Sequence, residues 1–219
     1  MVIYITYKPT LYTITPAIDS KFFLWKFIVM VGILIKAPII EVQNVVASGE
    51  FDQKIDLLHI AASLDRAEYN PESFPGLVLR VSEPKAVFLL FSTGKLVCTG
   101  GKSKEDVYAA IETLVKKLRS IDINVNSPPK VKIQNMVASV TLDFSINLET
   151  IALTLENSLY EPEQFPGLIY RMAVPKVVIL IFGSGKLVCT GAKSEEEVHK
   201  AVDILIDELK EIGAAEEPK

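Results

Sequence analysis

Phe91-Ser92-Thr93-Gly94-Lys95-Leu96-Val97-Cys98-Thr99-Gly100 is spelled a second time, as Phe182-Gly183-Ser184-Gly185-Lys186-Leu187-Val188-Cys189-Thr190-Gly191. In both places an apolar run enters a tight turn and leaves it as a second strand, so the decapeptide reads as a hairpin given twice. The offset of 91 residues also carries Gln43-Asn44 onto Gln134-Asn135, Phe74-Pro75-Gly76-Leu77 onto Phe165-Pro166-Gly167-Leu168, and Pro84-Lys85 onto Pro175-Lys176. The duplication therefore runs from about residue 41 to about residue 210 without an insertion, with about half of the aligned positions identical.

Each copy holds only about 80 of the 219 residues, marginal for burying a core of its own. The two halves are expected to share a continuous sheet or core. The formal charge of −4 does not settle whether a polyanion is bound, because the charge on one face decides that. Cys98 and Cys189 occupy equivalent places, each between Leu-Val and Thr-Gly. They read as small buried hydrophobes in a reducing compartment. His59 and His199 are isolated and non-equivalent, and no Cys/His spacing fits a metal, so neither metal nor cofactor is expected.

Residues 1–37 stand outside the duplication as an extension. Its apolar run, Phe22 to Ile35, is about 14 residues with Lys26 inside, short of the roughly 20 that span a membrane. It lacks the basic start and small-residue cleavage site of a secretory signal. An appendage, or an upstream start with initiation at Met30, is the expectation, with a peripheral anchor as the alternative; no membrane partner is expected.

The first repeat, 38–125, opens with a strand over 39–48. A short amphipathic helix over about 54–66 follows from Ile55, Leu58, Ile60, Ala61 and Leu64. Strands are expected near 76–82, 86–92 and 95–100. A helix from Ser103 to Arg119 starts at an approximate capping box with Asp106. Asn126-Ser127-Pro128-Pro129 links to the second repeat, 126–212, with strands at 131–139, 167–173, 177–183 and 186–191 and helices over about 146–157 and 194–212. Residues 213–219 form a short acidic tail. Strands in runs with helices between them imply an α+β fold with the helices on one sheet face.

The other face is left uncovered. Val97 and Thr99 point one way and Leu96 and Cys98 the other, and Leu89 and Phe91 alternate likewise with Phe88 and Leu90. Both sides are apolar, so one set meets helices and the other either binds something or is buried in a closed sandwich or dimer. Arg80, Lys85, Lys95 and Lys102 recur as Arg171, Lys176, Lys186 and Lys193, while the acids mostly gather on the long helices and turns. The implied surface is apolar in the middle and cationic at the edges. It is unsuited to the donor and acceptor code of the DNA major groove and suits a widened minor groove over A·T pairs, where no guanine amino group projects. Asn44 and Asn135 would supply the central hydrogen bonds, and Phe74 with Phe91, and Phe165 with Phe182, would be wedges at the two ends.

Residues 38–212, with the FPGL, PK and F-x-[ST]-G-K-L-V-x-T-G-x-K-S patterns in both halves, resemble the core of the TATA-box-binding protein family. That family is itself the standing example of minor-groove binding by a sheet with inserted phenylalanines. The resemblance implies a saddle: a curved antiparallel sheet of about ten strands in two pseudosymmetric repeats, four helices on the convex face, DNA on the concave one. It implies kinking phenylalanines at Phe74, Phe91, Phe165 and Phe182, central asparagines at Asn44 and Asn135, and groove-lining Val46, Val97, Thr99, Val137, Val188 and Thr190. Leu89, Leu180, Pro75 and Pro166 fall beside the wedges.

The implied function is a general transcription initiation factor that binds and bends the TATA element. It would nucleate assembly with a TFB/TFIIB-type factor and, indirectly, RNA polymerase. The TFB contact maps to Tyr160, Glu161 and Glu163; the first-half turn, Tyr69-Asn70-Pro71-Glu72, has one carboxylate fewer. Residues 41–119 carry 10 basic and 11 acidic residues, 132–210 carry 7 and 11, so a partner gripping the more acidic half would fix direction on DNA. The extension has neither a glutamine-rich tract nor a basic run, which resembles archaeal members and places the chain in the cytoplasm of an archaeal cell, on its nucleoid. A homodimer of the free protein is a further expectation.

Catalysis finds no support. Gly183-Ser184-Gly185-Lys186 lacks the glycine at 180 and the serine or threonine at 187 that a phosphate loop needs. An RNA-binding sheet would carry stacking aromatics where these strands carry valine and threonine. The rival that stays open is a protein-binding or dimerising sheet module with no DNA role.

Overall fold

Twelve-residue strands β1 (Ile39–Glu50) and β6 (Lys130–Thr141) open the two repeats, and they pair antiparallel along their whole length, from Ile39 opposite Thr141 to Glu50 opposite Lys130. Val45 faces Met136, its own counterpart at the 91-residue offset. The pseudo-twofold axis therefore passes through that pair. This is a computed structural model of the chain, and it describes residues 36–125 and 128–216; the apolar run 22–35, and the extension up to residue 35, lie outside the described residues.

On each side of the central pair the strands add in mirrored order. The first repeat contributes β2 (Ala67–Glu68), β3 (Leu77–Ser82), β4 (Lys85–Leu90) and β5 (Lys95–Gly101). The second contributes β8 (Ser158–Tyr160), β9 (Leu168–Met172), β10 (Val177–Ile181) and β11 (Lys186–Ala192). The result is one ten-stranded antiparallel sheet, β2-β3-β4-β5-β1-β6-β11-β10-β9-β8, the continuous sheet that two marginal units need. The fold is the expected α+β saddle class, with four helices.

One sheet face is the core. Leu77, Leu79, Phe88, Leu90, Leu96 and Cys98 in the first half, and Leu168, Ile179, Ile181, Leu187 and Cys189 in the second, are essentially inaccessible to solvent. They meet the stripe Val107, Ala110, Ile111, Leu114 and Leu118 of α2 (Lys104–Arg119) and its counterpart Val198, Ala201, Val202, Leu205 and Leu209 of α4 (Glu195–Glu211). Burying each such side chain is worth about 1.5–3 kcal/mol. Ser103 closes a full capping box with Asp106, and Ser194 accepts from Glu197 N–H at 3.2 Å.

The two short helices are shorter than their apolar spacing implies. α1 spans Leu57–Ser63 and α3 spans Leu148–Thr154. Asp56 and Asn147 cap them by accepting from His59 N–H and Thr150 N–H, while Ile55 N–H is already committed to Ser92 C=O at 3.1 Å. Beyond the far ends, Arg66 and Asn157 adopt left-handed φ of 61° and 60°, which breaks the helical path. A feature the sequence did not signal is a second, two-stranded sheet, in which β12 (Ala215–Glu216) pairs with β7 (Ser145–Ile146).

Candidate nucleic-acid interface

The second sheet face is built from residues that alternate with the core and are half-exposed. In the first half Val78, Leu89, Val97 and Ser48 stand side by side across β3, β4, β5 and β1, and Arg80, Val87 and Thr99 form the next row. The second half repeats both rows as Ile169, Leu180, Val188 and Ser139, and as Arg171, Val178, Thr190 and Val137. Val97, Thr99, Val188 and Thr190 are therefore not beneath helices; their neighbours Leu96, Cys98, Leu187 and Cys189 are. Among the described residues no group of His, Cys, Asp or Glu is placed to hold a metal, and no helix is long and apolar enough to cross a membrane.

The central asparagines have a structural task that fixes which way they point. β5 and β11 each carry an extra residue against the central strands, the register shifting between Val45 and Ala47 on β1 and between Thr190 and Ala192 on β11. Gly100 and Gly191 sit at these bulges with φ of 104° and 101°, a conformation glycine adopts without strain. A bulge strands a backbone N–H. Asn44 Oδ1 accepts from Gly100 N–H at 2.9 Å, and Asn135 Oδ1 accepts from Gly191 N–H at 2.7 Å. An N–H can only face an oxygen, so each amide turns its Nδ2 donors toward Thr99 or Thr190 Oγ1, at 3.0 and 3.2 Å, and the open face. Asn44 lies opposite Val137 and Asn135 opposite Val46, which sets two donors symmetrically about the axis. The minor-groove edge of A·T pairs offers only acceptors, so donors are the groups it needs.

At each end two phenylalanines meet edge to face, Phe74 with Phe91 at 5.9 Å between ring centroids and Phe165 with Phe182 at 5.7 Å, both at 65°. Phe74 is 38% exposed, and Phe91, Phe165 and Phe182 are half-exposed beside the exposed Pro75 and Pro166. Tight turns aim these rings: Phe91 N–H donates to Lys95 C=O and Phe182 N–H to Lys186 C=O. The pairs rest on glycine. A Cβ on Gly76 would lie 2.6 Å from Phe74 and 3.0 Å from Phe91, and one on Gly167 would lie 2.8 Å from Phe165 and 2.9 Å from Phe182.

Arg80, Lys85, Lys95, Lys102, Arg171, Lys176, Lys186 and Lys193 are all exposed. Arg80 approaches Glu68 at 3.7 Å, and Lys102 Nζ donates to Gln43 Oε1 at 3.3 Å. Three acids do reach the open face: register places Glu68 beside Val78, Glu50 beside Lys95, and Glu41 beside Ser139. Tyr160 closes β8, and the Glu161 carbonyl accepts from Gln164 and Phe165 N–H, leaving the Glu161 and Glu163 side chains exposed at the turn. Burial pushes the Cys98 and Cys189 thiols up to about 11, so both stay protonated and unreactive.

Gly76, Gly167, Gly100 and Gly191, although inside the repeated motifs, and the open-face Val78, Val87, Ile169 and Val178 were not singled out as site residues from the sequence. All of them recur at the 91-residue offset, Val78 as Ile169, which was the signal available.

A duplicated antiparallel sheet with helices on one face, and an open apolar face ringed by cations on the other, defines a two-repeat surface-binding protein of the saddle class. The family model described as "Transcription factor TFIID (or TATA-binding protein, TBP)" matches residues 39–121 and 130–212. The chain belongs to the TATA-box-binding protein family. It is 53% identical over 178 residues to the TATA-box-binding protein of Pyrobaculum aerophilum, covering 81% of this chain and 89% of that protein. It is 53% identical over 176 residues to that of Archaeoglobus fulgidus, covering 80% and 96%. The solved structure of Methanococcus jannaschii TBP superposes with a TM-score of 0.75 at 52% identity, covering 78% of this chain and 98% of that one.

Proposed function

We propose that this chain is a general transcription initiation factor that binds the TATA element in the minor groove and bends it, the family's activity performed by the open face described above. The observation that carries the reading is the amide orientation at Asn44 and Asn135: donors at the centre of an otherwise apolar row, with an aromatic pair at each end. A·T pairs satisfy such donors, whereas the guanine amino group would meet valine and leucine with no acceptor, costing roughly 1–3 kcal/mol per pair. The phenylalanines unstack the terminal steps, and the exposed bases hold the phosphates. Nothing in this scheme calls for a cofactor or for catalysis.

Assembly with a TFB/TFIIB-type factor falls to the exposed Glu161 and Glu163 beside Tyr160, and RNA polymerase is reached through that factor. The archaeal relatives support placing the chain in archaeal cytoplasm, on nucleoid DNA. A dimer of the free protein would use the same apolar face, so it would compete with DNA.

A mobility-shift titration tests the reading. A TATA duplex is expected to be retarded at modest salt and its G·C-substituted version only at far higher protein. Phe182→Ala is expected to reduce bending, read as energy transfer between labelled duplex ends. Equal affinity for both duplexes would favour the protein-binding sheet module instead.

A further inference from the structure

The two repeats differ where their open faces reach the edge of the sheet. β1 and β6 each overhang the strands beside them: residues 39–42 of β1 pair only with β6, and 130–133 of β6 only with β1. A register shift at Gln43, and one on β6 facing the Val46–Ala47 step, reverse which face each overhang presents. Lys132 thereby extends the first half's row beyond Val97 and Ser48, and Glu41 extends the second half's beyond Val188 and Ser139. Glu41 and Lys132 are counterparts at the 91-residue offset, so the axis that equates the two halves exchanges an acid for a base.

The next row compounds the difference. Lys95, Glu50 and Lys130 lie side by side on the first flank, against Lys186, Thr141 and Ile39 on the second. Among these rows, with Lys132 and Glu41 included, the first flank carries two more positive charges than the second; Lys130 is also paired with Asp52 at 3.8 Å, and Asp52 recurs at the 91-residue offset as Asp143, so the difference stands. The open cleft beside Phe91 is lined by Lys95, Lys130 and Lys132, while the equivalent cleft beside Phe182 has Lys186 as its one lysine among the described residues. Both Glu41 and Lys132 are exposed, and neither is ion-paired with another described residue.

We propose that Glu41 and Lys132 are specificity-determining residues that give the DNA-binding face a polarity, seating the first repeat on whichever half of an asymmetric element has the more negative minor groove. The inference rests on the DNA-binding reading above. An A-tract half-site is narrow and strongly negative, which attracts lysine, whereas alternating T-A steps are wider and easily unstacked. The first repeat settles on the A-tract and the second, with Glu41 at its flank, on the alternating half. Direction is then biased by the duplex before any protein partner binds.

The test uses the full chain with Ser184→Cys, an exposed hairpin position, carrying an iron chelate that cuts nearby DNA. The buried Cys98 and Cys189 escape labelling. On a duplex joining an A-tract half to an alternating half, cleavage is expected to favour the alternating end on the order of three- to tenfold, the range of one or two exposed charge contacts, declining as salt rises. Glu41→Lys with Lys132→Glu keeps net charge and is expected to invert the ratio; Glu41→Gln with Lys132→Gln is expected to bring it near unity. Urea midpoints matching the parent's establish that the variants fold. A ratio unchanged by the swap, with the duplex still bound, overturns the polarity and leaves the binding reading standing. Absence of binding to any TATA duplex overturns both.

Discussion

Gly76→Ala separates positioning of the wedge from folding. The glycine's φ lies outside the left-handed range, so alanine meets no backbone strain there, and the whole effect is steric. The new methyl would sit 2.6 Å from Phe74 Cε1, where ordinary contact begins at 3.4 Å, so the ring edge must retreat by about 0.8 Å. Phe91 Cε1, at 3.0 Å, must give about half as much. Phe74 is exposed enough to swing outward. The free protein then loses part of an edge-to-face contact worth about 0.5–1.5 kcal/mol. It regains about 0.4–1 kcal/mol because alanine restricts the unfolded chain, so the net change in stability stays within about 1 kcal/mol.

DNA cannot accommodate the shift so cheaply. Unstacking a base step costs a few kcal/mol and is repaid only by a correctly seated wedge, so a displaced Phe74 is expected to weaken TATA binding by about 1–3 kcal/mol, roughly 5- to 150-fold, and to reduce bending at one end. Urea unfolding, a mobility-shift titration and energy transfer between duplex ends measure the three quantities. Wild-type affinity and bending would refute the role given to Gly76. A stability loss of several kcal/mol would make the glycine a folding device. Gly167→Ala is the harsher control, since its methyl also meets the Ile181 carbonyl at 3.2 Å, and backbone yields less than a ring.

Asn44→Asp keeps an oxygen for Gly100 N–H but removes the Nδ2 donors; stability is expected to hold within about 1 kcal/mol while TATA affinity drops at least tenfold, and equal affinity would show that the amide donates nothing to the groove. Glu161→Lys with Glu163→Lys alters only exposed turn side chains and is expected to leave DNA binding nearly intact while abolishing TFB recruitment in a supershift. The thiols of Cys98 and Cys189 are raised from 9.0 to about 11, and Tyr170, by burial and then by the nearby Glu208 carboxylate, from 10.0 to about 12. Raised native pKa values mean that the unfolded chain releases these protons first, so stability is whole below pH 9 and falls between about 9 and 12. Tyr170→Phe is expected to flatten the upper part of that decline in pH-dependent urea midpoints, and an unchanged slope would count against it.

The architecture was legible because it rests on periodicity. Alternation in Phe88 to Phe91 and Leu96 to Thr99 separated the two faces of each strand, and helical spacing gave the stripes of α2 and α4, with Ser103 and Ser194 marking their starts. What periodicity cannot carry is a break in itself. The ends of α1 and α3 are set by caps and by left-handed Arg66 and Asn157. β7 and β12 are two residues each, too short for any pattern. Gly76 was visible inside a repeated motif, yet only the approach of two rings to its Cα explains why a side chain is excluded there.

The bulges decide the rest. Counting by twos from Asn44 puts Val42 on the open face and Glu41 on the core side, whereas one extra residue at Gln43 exchanges them. Val42 then meets Ala138 on the helix side, and Glu41 stands beside Ser139. A single-residue slip thus moves a charge from the helix side of the strand end to the binding face, and it does so in both copies, with opposite charges. Identical offsets in the sequence announce symmetry, but the function of a nearly symmetric binder depends on where that symmetry fails. Here it fails at Glu41 and Lys132, beyond shifts that side-chain alternation cannot reveal.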